Sequence, residues 1–233
     1  MNKEDSFKEK FKQAIISTVK VISDDYLIDS KKNKITEENI KINNLENIKD
    51  KREFIKIRAE ADSEALNRKF SNKDIFEKNI PSNQTCQSLY KISEKIRYEM
   101  LGSKMLKGIS KNFQNNYLNK LKKIDLTKAK RKDDVNISDA FEIYMLDKFL
   151  KVKLEPEALK ILSFWEKELK ESFDKHLSYL AKNLDNQENY NSKFSEILEN
   201  MEIFDNEEND EKKDTQEDNN QDNSNNNNQD ENN

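Results

Sequence analysis

The chain has 233 residues, 38% of them charged, with 2 Gly, 2 Pro and 1 Cys. So few turn formers argue for long helices and against a sheet-rich fold. The single cysteine excludes an internal disulfide and suits a reduced, cytoplasmic setting. No apolar run approaches the roughly 18 residues of a membrane span, and no signal-peptide core follows Met1.

In chain order, Ser6 and Glu9 have the spacing of a capping box. Behind them Phe7, Phe11, Ile15, Val19 and Ile22 recur at helical intervals. Residues 24–50 are irregular, and the segments 25–28 and 39–42 read as a small β-hairpin within 25–42. A second helix is expected from about Lys51 to Phe70, and Pro81 then punctuates the chain. A third is expected from about Asn83 to Phe113, with a stripe of Leu89, Ile92, Ile96, Met100, Leu106 and Phe113. A shorter helix over 117–124 follows. Ser138 is placed to cap a helix carrying Phe141, Tyr144, Met145 and Phe149. Pro156 suits the first turn of the next helix, where a missing N–H costs nothing; Leu159, Leu162, Trp165, Leu169, Phe173 and Leu177 lie along it. A last helix holds Tyr190, Phe194, Ile197, Leu198 and Met201. Residues 1–204 thus read as one all-α domain. Residues 205–233 contain no apolar side chain, 11 acidic and 2 basic ones, for a net charge of −9. Such a segment cannot offset its ordering entropy, so a disordered acidic tail or linker is expected. The whole chain carries −4, which leaves residues 1–204 at +5.

Some charges fall on faces that ought to be apolar. At about 100° per residue, Glu99 lies inside the arc set by Ile92, Ile96 and Leu106. Arg58 shares a face with Phe54, Ala61 and Ala65. A lone buried carboxylate costs several kcal/mol or takes up a proton. The expectation is therefore an Arg58–Glu99 pair between the two helices, with Asp62 as second acceptor; the alternative is that each side chain snorkels to water. Glu94 and Arg97, spaced i, i+3 on the opposite side, read as a surface pair. Gly102 and Gly108 sit within a helical pattern at a cost of about 1 kcal/mol each relative to Ala. Close packing would explain Gly102, and nothing in the sequence explains Gly108.

The residues offer little catalytic chemistry. The nearest approach to a phosphate-binding loop runs from Gly102 to Ser110, but its glycines are one residue too far apart and no Lys follows the second. His176 is the only histidine, which excludes the usual His/Cys zinc or copper site, and it reads as a helix-flank residue. No catalytic residue, metal ligand or bound cofactor is expected. One basic run stands out between Ser103 and Lys132: Lys104, Lys107, Lys111, Lys120, Lys122, Lys123, Lys128, Lys130, Arg131 and Lys132 face one acid, Asp125, with Phe113 and Tyr117 interleaved. It admits three readings: a solvated face, a polyanion-binding surface, or a docking surface for the acidic tail.

The stretch Arg58-Ala59-Glu60-Ala61-Asp62-Ser63-Glu64-Ala65-Leu66 resembles the R-G-E-A-D-x-x-A-L motif of the T subunit of aerobic cobaltochelatase, with Ala59 for the glycine. Glu94, Arg97, Glu99, Leu101, Gly102 and Gly108 match that family's E-Q-A-R-x-E-A-L-G-A-R-x-M-x-G segment, whereas Lys95, Ile96, Tyr98 and Leu106 depart from it. Phe11-Lys12-Gln13-Ala14 through Ile22 and Ile161–Trp165 resemble two further family segments. Lys69-Phe70 stands where a histidine pair often occurs. The family's von Willebrand A-type domain, with its D-x-S-x-S motif, has no counterpart in this sequence. The resemblance implies a three-part complex that inserts cobalt into a corrin ring for cobalamin biosynthesis. An AAA+ ATPase subunit and a large corrinoid-binding subunit would be the partners, and a separate von Willebrand A-type domain is a further one. ATP, Mg and cobalt would belong to the complex. Arg58, Glu60, Asp62, Glu94, Arg97, Glu99, Gly102 and Gly108 would then be structural or partner-binding positions in a non-catalytic coupling component. The competing readings are a lysine-rich nucleic-acid-binding protein, which is disfavoured, and a helical adaptor.

Overall fold

The structure, a computed structural model, describes residues 3–24, 51–124 and 129–201. The expected hairpin over 25–42, Lys128 and the acidic segment 205–233 lie outside the described residues. Among the described residues every regular element is helical, as the scarcity of Gly and Pro predicts. The elements are α1 (Lys3–Ser23), α2 (Lys51–Phe70), α3 (Lys73–Lys78), α4 (Gln84–Met105), α5 (Lys107–Leu121) and α6 (Ile137–Met145), which a π-type turn over Leu146–Leu150 extends. They continue with α7 (Pro156–Ser163), α8 (Glu166–Phe173), a 3-10 turn over Asp174–His176, α9 (Leu177–Lys182) and α10 (Gln187–Glu199).

Asparagine sets several of the boundaries. The side chains of Asn72, Asn83, Asn136 and Asn186 accept from the first free N–H groups of α3, α4, α6 and α10. An uncapped helix leaves those donors without partners, and an Asn carbonyl satisfies one or two of them. Two expected caps are therefore wrong. Ser6 lies inside α1, which already begins at Lys3. Ser138 donates its backbone N–H to Asn136 at 2.7 Å instead of capping α6 itself. Pro156 does occupy the first position of α7.

The expected third helix is two helices. Leu106 is extended (φ −138°, ψ 117°) and divides α4 from α5, although its N–H still reaches Gly102 O at 2.9 Å. The break lets α5 fold back onto α2 and α4, with Ile109, Phe113, Tyr117 and Leu121 on its buried face at i+4 spacing. Leu106 itself turns outward at 46% exposure. The expected long helix from Pro156 to Leu177 is likewise divided, at Trp165. Its indole Nε1 donates to Val135 O at 2.9 Å, and Lys132 Nζ sits 4.1 Å above the ring. Those contacts fix the indole against a 3-10 turn over Lys132–Asp134 and the Val135 that follows it, and Leu159, expected in the core, is exposed.

Helix α4 is central and packs against α2, α5, α6 and α10. Phe141, Phe173, Phe194 and Tyr190 form an aromatic group with centroid spacings of 5.2–5.9 Å between neighbours. Helix α1 lies on α2, with Phe11 and Phe54 stacked at 4.1 Å.

Candidate functional site

The charged motif residues converge on two buried polar centres, both built on α4. The first surrounds Arg97, only 1% exposed, and Glu94, 5% exposed. Arg97 Nε donates to Glu94 Oε2 at 2.8 Å, and an Nη atom donates to Oε1 at 2.8 Å. This is the two-pronged geometry that guanidinium and carboxylate favour. The remaining guanidinium donors reach Leu184 O at 2.7 Å and Phe70 O at 2.6 Å. Glu94 also accepts from Ser71 Oγ and from Gln187 Nε2 at 3.1 Å. Gln187 in turn bonds both backbone groups of Asn72. The pair thus joins α4 to the end of α2, the start of α3 and the α9–α10 connection. The sequence reading placed Glu94 and Arg97 on the surface. The pair is buried because α10, whose Gln187 lies 93 residues from Glu94, covers the side of α4 opposite to the main apolar arc.

The second centre lies between α2, α4 and α5. Glu99, 1% exposed, accepts from Ser63 Oγ at 2.7 Å and from Tyr117 Oη at 2.6 Å. Lys95 Nζ stands 3.9 Å away. Asp62, with no exposed surface, accepts from Asn112 Nδ2 at 2.6 Å through Oδ2. Its Oδ1 lies 3.4 Å from Arg58 Nε. The expected Arg58–Glu99 pair does not form. Arg58 pairs within its own helix with Asp62, and Glu99 is satisfied mainly by hydroxyls. The burial of Glu99, read from its place on the apolar arc, is correct. Burial raises the pKa of Glu99, with Lys95 and the two hydroxyls opposing it. Burial also raises that of Asp62, against Asn112 and Arg58. Tyr117 is raised well above an ordinary phenol by burial and by the Glu99 charge.

The other motif positions divide. Glu60 is exposed and pairs with Lys56 at 3.6 Å. Gly102 is a close-packing position: a Cβ there would fall 2.9 Å from Leu66 Cγ and closer still to both δ-methyls. Gly108, in the first turn of α5, has no atom within 4 Å of a built Cβ. Of the basic run, Lys120 pairs with Glu142 and Lys132 with Glu168, while Lys104, Lys107, Lys111, Lys122, Lys123, Lys130 and Arg131 are exposed. The sequence reading gave no role to Ser63, Asn112 or Gln187. An expected buried Glu99 signals that hydroxyl or amide partners exist without saying which.

The contacts at both centres join helices to one another. Glu94, Glu99 and Asp62 are each buried, and the hydroxyls that Glu94 and Glu99 hold, those of Ser71, Ser63 and Tyr117, are committed to these contacts between elements. Of three surface depressions among the described residues, about 380, 490 and 440 Å³, none is lined by Asp62, Glu94, Arg97 or Glu99, although Phe70, Ser71 and Gln187, which contact the Glu94–Arg97 pair, line the second. Among the described residues, no group of three or more His, Cys, Asp or Glu is placed to hold a metal ion. No described helix is long and apolar enough to cross a membrane. Both glycines lie in helices, so the residues do not fit a phosphate-cradling loop.

A family model described as cobalamin biosynthesis protein CobT matches residues 5–233. No solved structure matches the chain.

Proposed function

Since the chain belongs to the CobT family of cobalamin biosynthesis proteins, we propose that it serves as a non-catalytic coupling subunit of an ATP-dependent cobaltochelatase, which inserts cobalt into a corrin ring. The observation that carries this reading is the position of the motif charges. Arg97, Glu94, Asp62 and Glu99 are sealed between helices, where they join elements and cannot meet a substrate. A subunit whose charged motifs hold its own helices together acts through its surface. The nucleotide site and the corrinoid site would then lie on partners, an AAA+ ATPase subunit and a large corrinoid-binding subunit. Cobalt is the cargo of the complex, and ATP with Mg is the partner's substrate. A von Willebrand A-type domain supplied by another chain or segment would complete the assembly. The buried thiol of Cys86 accords with a cytoplasmic location.

The role of this chain is to hold a rigid helical body between the two partners, so that a change of shape driven by nucleotide hydrolysis reaches the corrinoid subunit. Rigidity is what the two polar centres provide. Each links three or more elements that apolar contact alone would leave free to slide. The test is co-elution. The purified chain, mixed with the ATPase and corrinoid-binding subunits in the presence of ATP and Mg, should migrate with both. Migration with neither would overturn the coupling role.

A further inference from the structure

Helix α5 has no acidic residue in its 15-residue span. Lys107, Lys111 and Gln114 recur at i, i+4 and i+7, and Lys122 follows at i+15, so all four share one face; all four are exposed. Lys104 stands just before the break at Leu106. None of these lysines forms an ion pair among the described residues, whereas Lys120 and Lys132 on other faces are already neutralised. The cationic face is therefore uncompensated by its own surroundings.

We infer that this face of α5 is the docking site of the chain's own acidic segment, residues 205–233. Two observations favour that occupant. The first is charge: the segment carries a net −9 with no apolar side chain, which suits an exposed lysine face. The second is reach. Helix α10 runs antiparallel to α4, since Gln187 meets Glu94 and Leu198 O meets Cys86 Sγ at 3.8 Å. Met201 therefore emerges near the start of α4, about 30 Å from Leu106 at 1.5 Å per residue. At about 3.3 Å per extended residue, some nine residues cover that distance, and the acidic segment can then lie along all of α5. Tethering gives the contact an effective concentration in the millimolar range. The docked segment screens the face from other polyanions, and an acidic surface on a partner has to displace it. This inference does not depend on the chelatase reading.

The test is zero-length carbodiimide cross-linking of the full chain, read by mass spectrometry. Expected are links from Lys107, Lys111 or Lys122 to carboxylates of 205–233. They should form within one chain, be independent of protein concentration, and disappear in about 1 M salt, where the screening length falls to about 3 Å. Links only between chains, or links spread evenly over all exposed lysines, would overturn it. In parallel, deletion of 205–233 should strengthen retention on a heparin column, and the combined variant Lys107→Glu, Lys111→Glu, Lys122→Glu should abolish that gain. Equal retention of the full and shortened chains would overturn the docking. So would single-stranded nucleic acid bound equally tightly by both, which would assign the face to nucleic acid.

Discussion

Replacing Arg97 by Ala would leave Glu94 buried without its two-pronged partner and remove the donors that reach Phe70 O and Leu184 O. Breaking a buried pair from one side costs about 3–5 kcal/mol, so Arg97→Ala should lower the urea midpoint by that equivalent. A loss below about 1 kcal/mol, the size for an exposed pair, would contradict the described burial. Glu99 gives a prediction in pH. Its folded pKa is raised above the ordinary 4.5 by burial, so its contribution to stability is fully present below 4.5 and is lost as pH rises through the higher folded value. Wild type should therefore lose stability relative to Glu99→Gln as pH rises above 4.5, with Asp62 common to both and cancelling. A constant difference across that range would show that Glu99 meets water. At this scale the sequence carried half the answer. The apolar arc marked Glu99 as buried, because its neighbours are local. It could not mark Arg97, whose cover comes from Leu184 and Gln187 near the other end of the chain.

Helix boundaries depend on single residues that periodicity does not weigh. The pattern from Leu89 to Phe113 is continuous, yet the backbone breaks at Leu106 because α5 gains more by folding onto α2. Trp165 divides another continuous pattern through a hydrogen bond to Val135 O, a contact 30 residues distant and invisible to local reading. The last helix, by contrast, was legible, since Tyr190, Phe194, Ile197 and Leu198 all meet the core. The two glycines test the element scale with opposite signs. Gly102→Ala should destabilise by about 1–3 kcal/mol through overpacking against Leu66, outweighing the gain in helix propensity. Gly108→Ala meets nothing and should stabilise by up to about 1 kcal/mol. Thermal unfolding of both variants checks the pair, and a shift of the same sign in each would contradict the packing at Gly102.

For the whole molecule, membership of the CobT family places the chain in cobalamin biosynthesis. The motif charges lie inside, joining α2, α3, α4, α5 and α10, and the surface left for partners is rich in lysine. The molecule thus divides its labour, with charges as internal ties and partner contacts left to the surface. The proposed cobalt insertion into a corrinoid tests that division most directly, measured per folded molecule with the proposed ATPase and corrinoid-binding partners present, for wild type and Glu99→Gln. The amide keeps the shape of the site and lets Ser63 and Tyr117 reorient, so the variant should turn over within about twofold of wild type. A folded variant that assembles normally but turns over at least a hundredfold more slowly, the lower bound of what a general acid or base contributes, would place Glu99 in the chemistry and contradict the account.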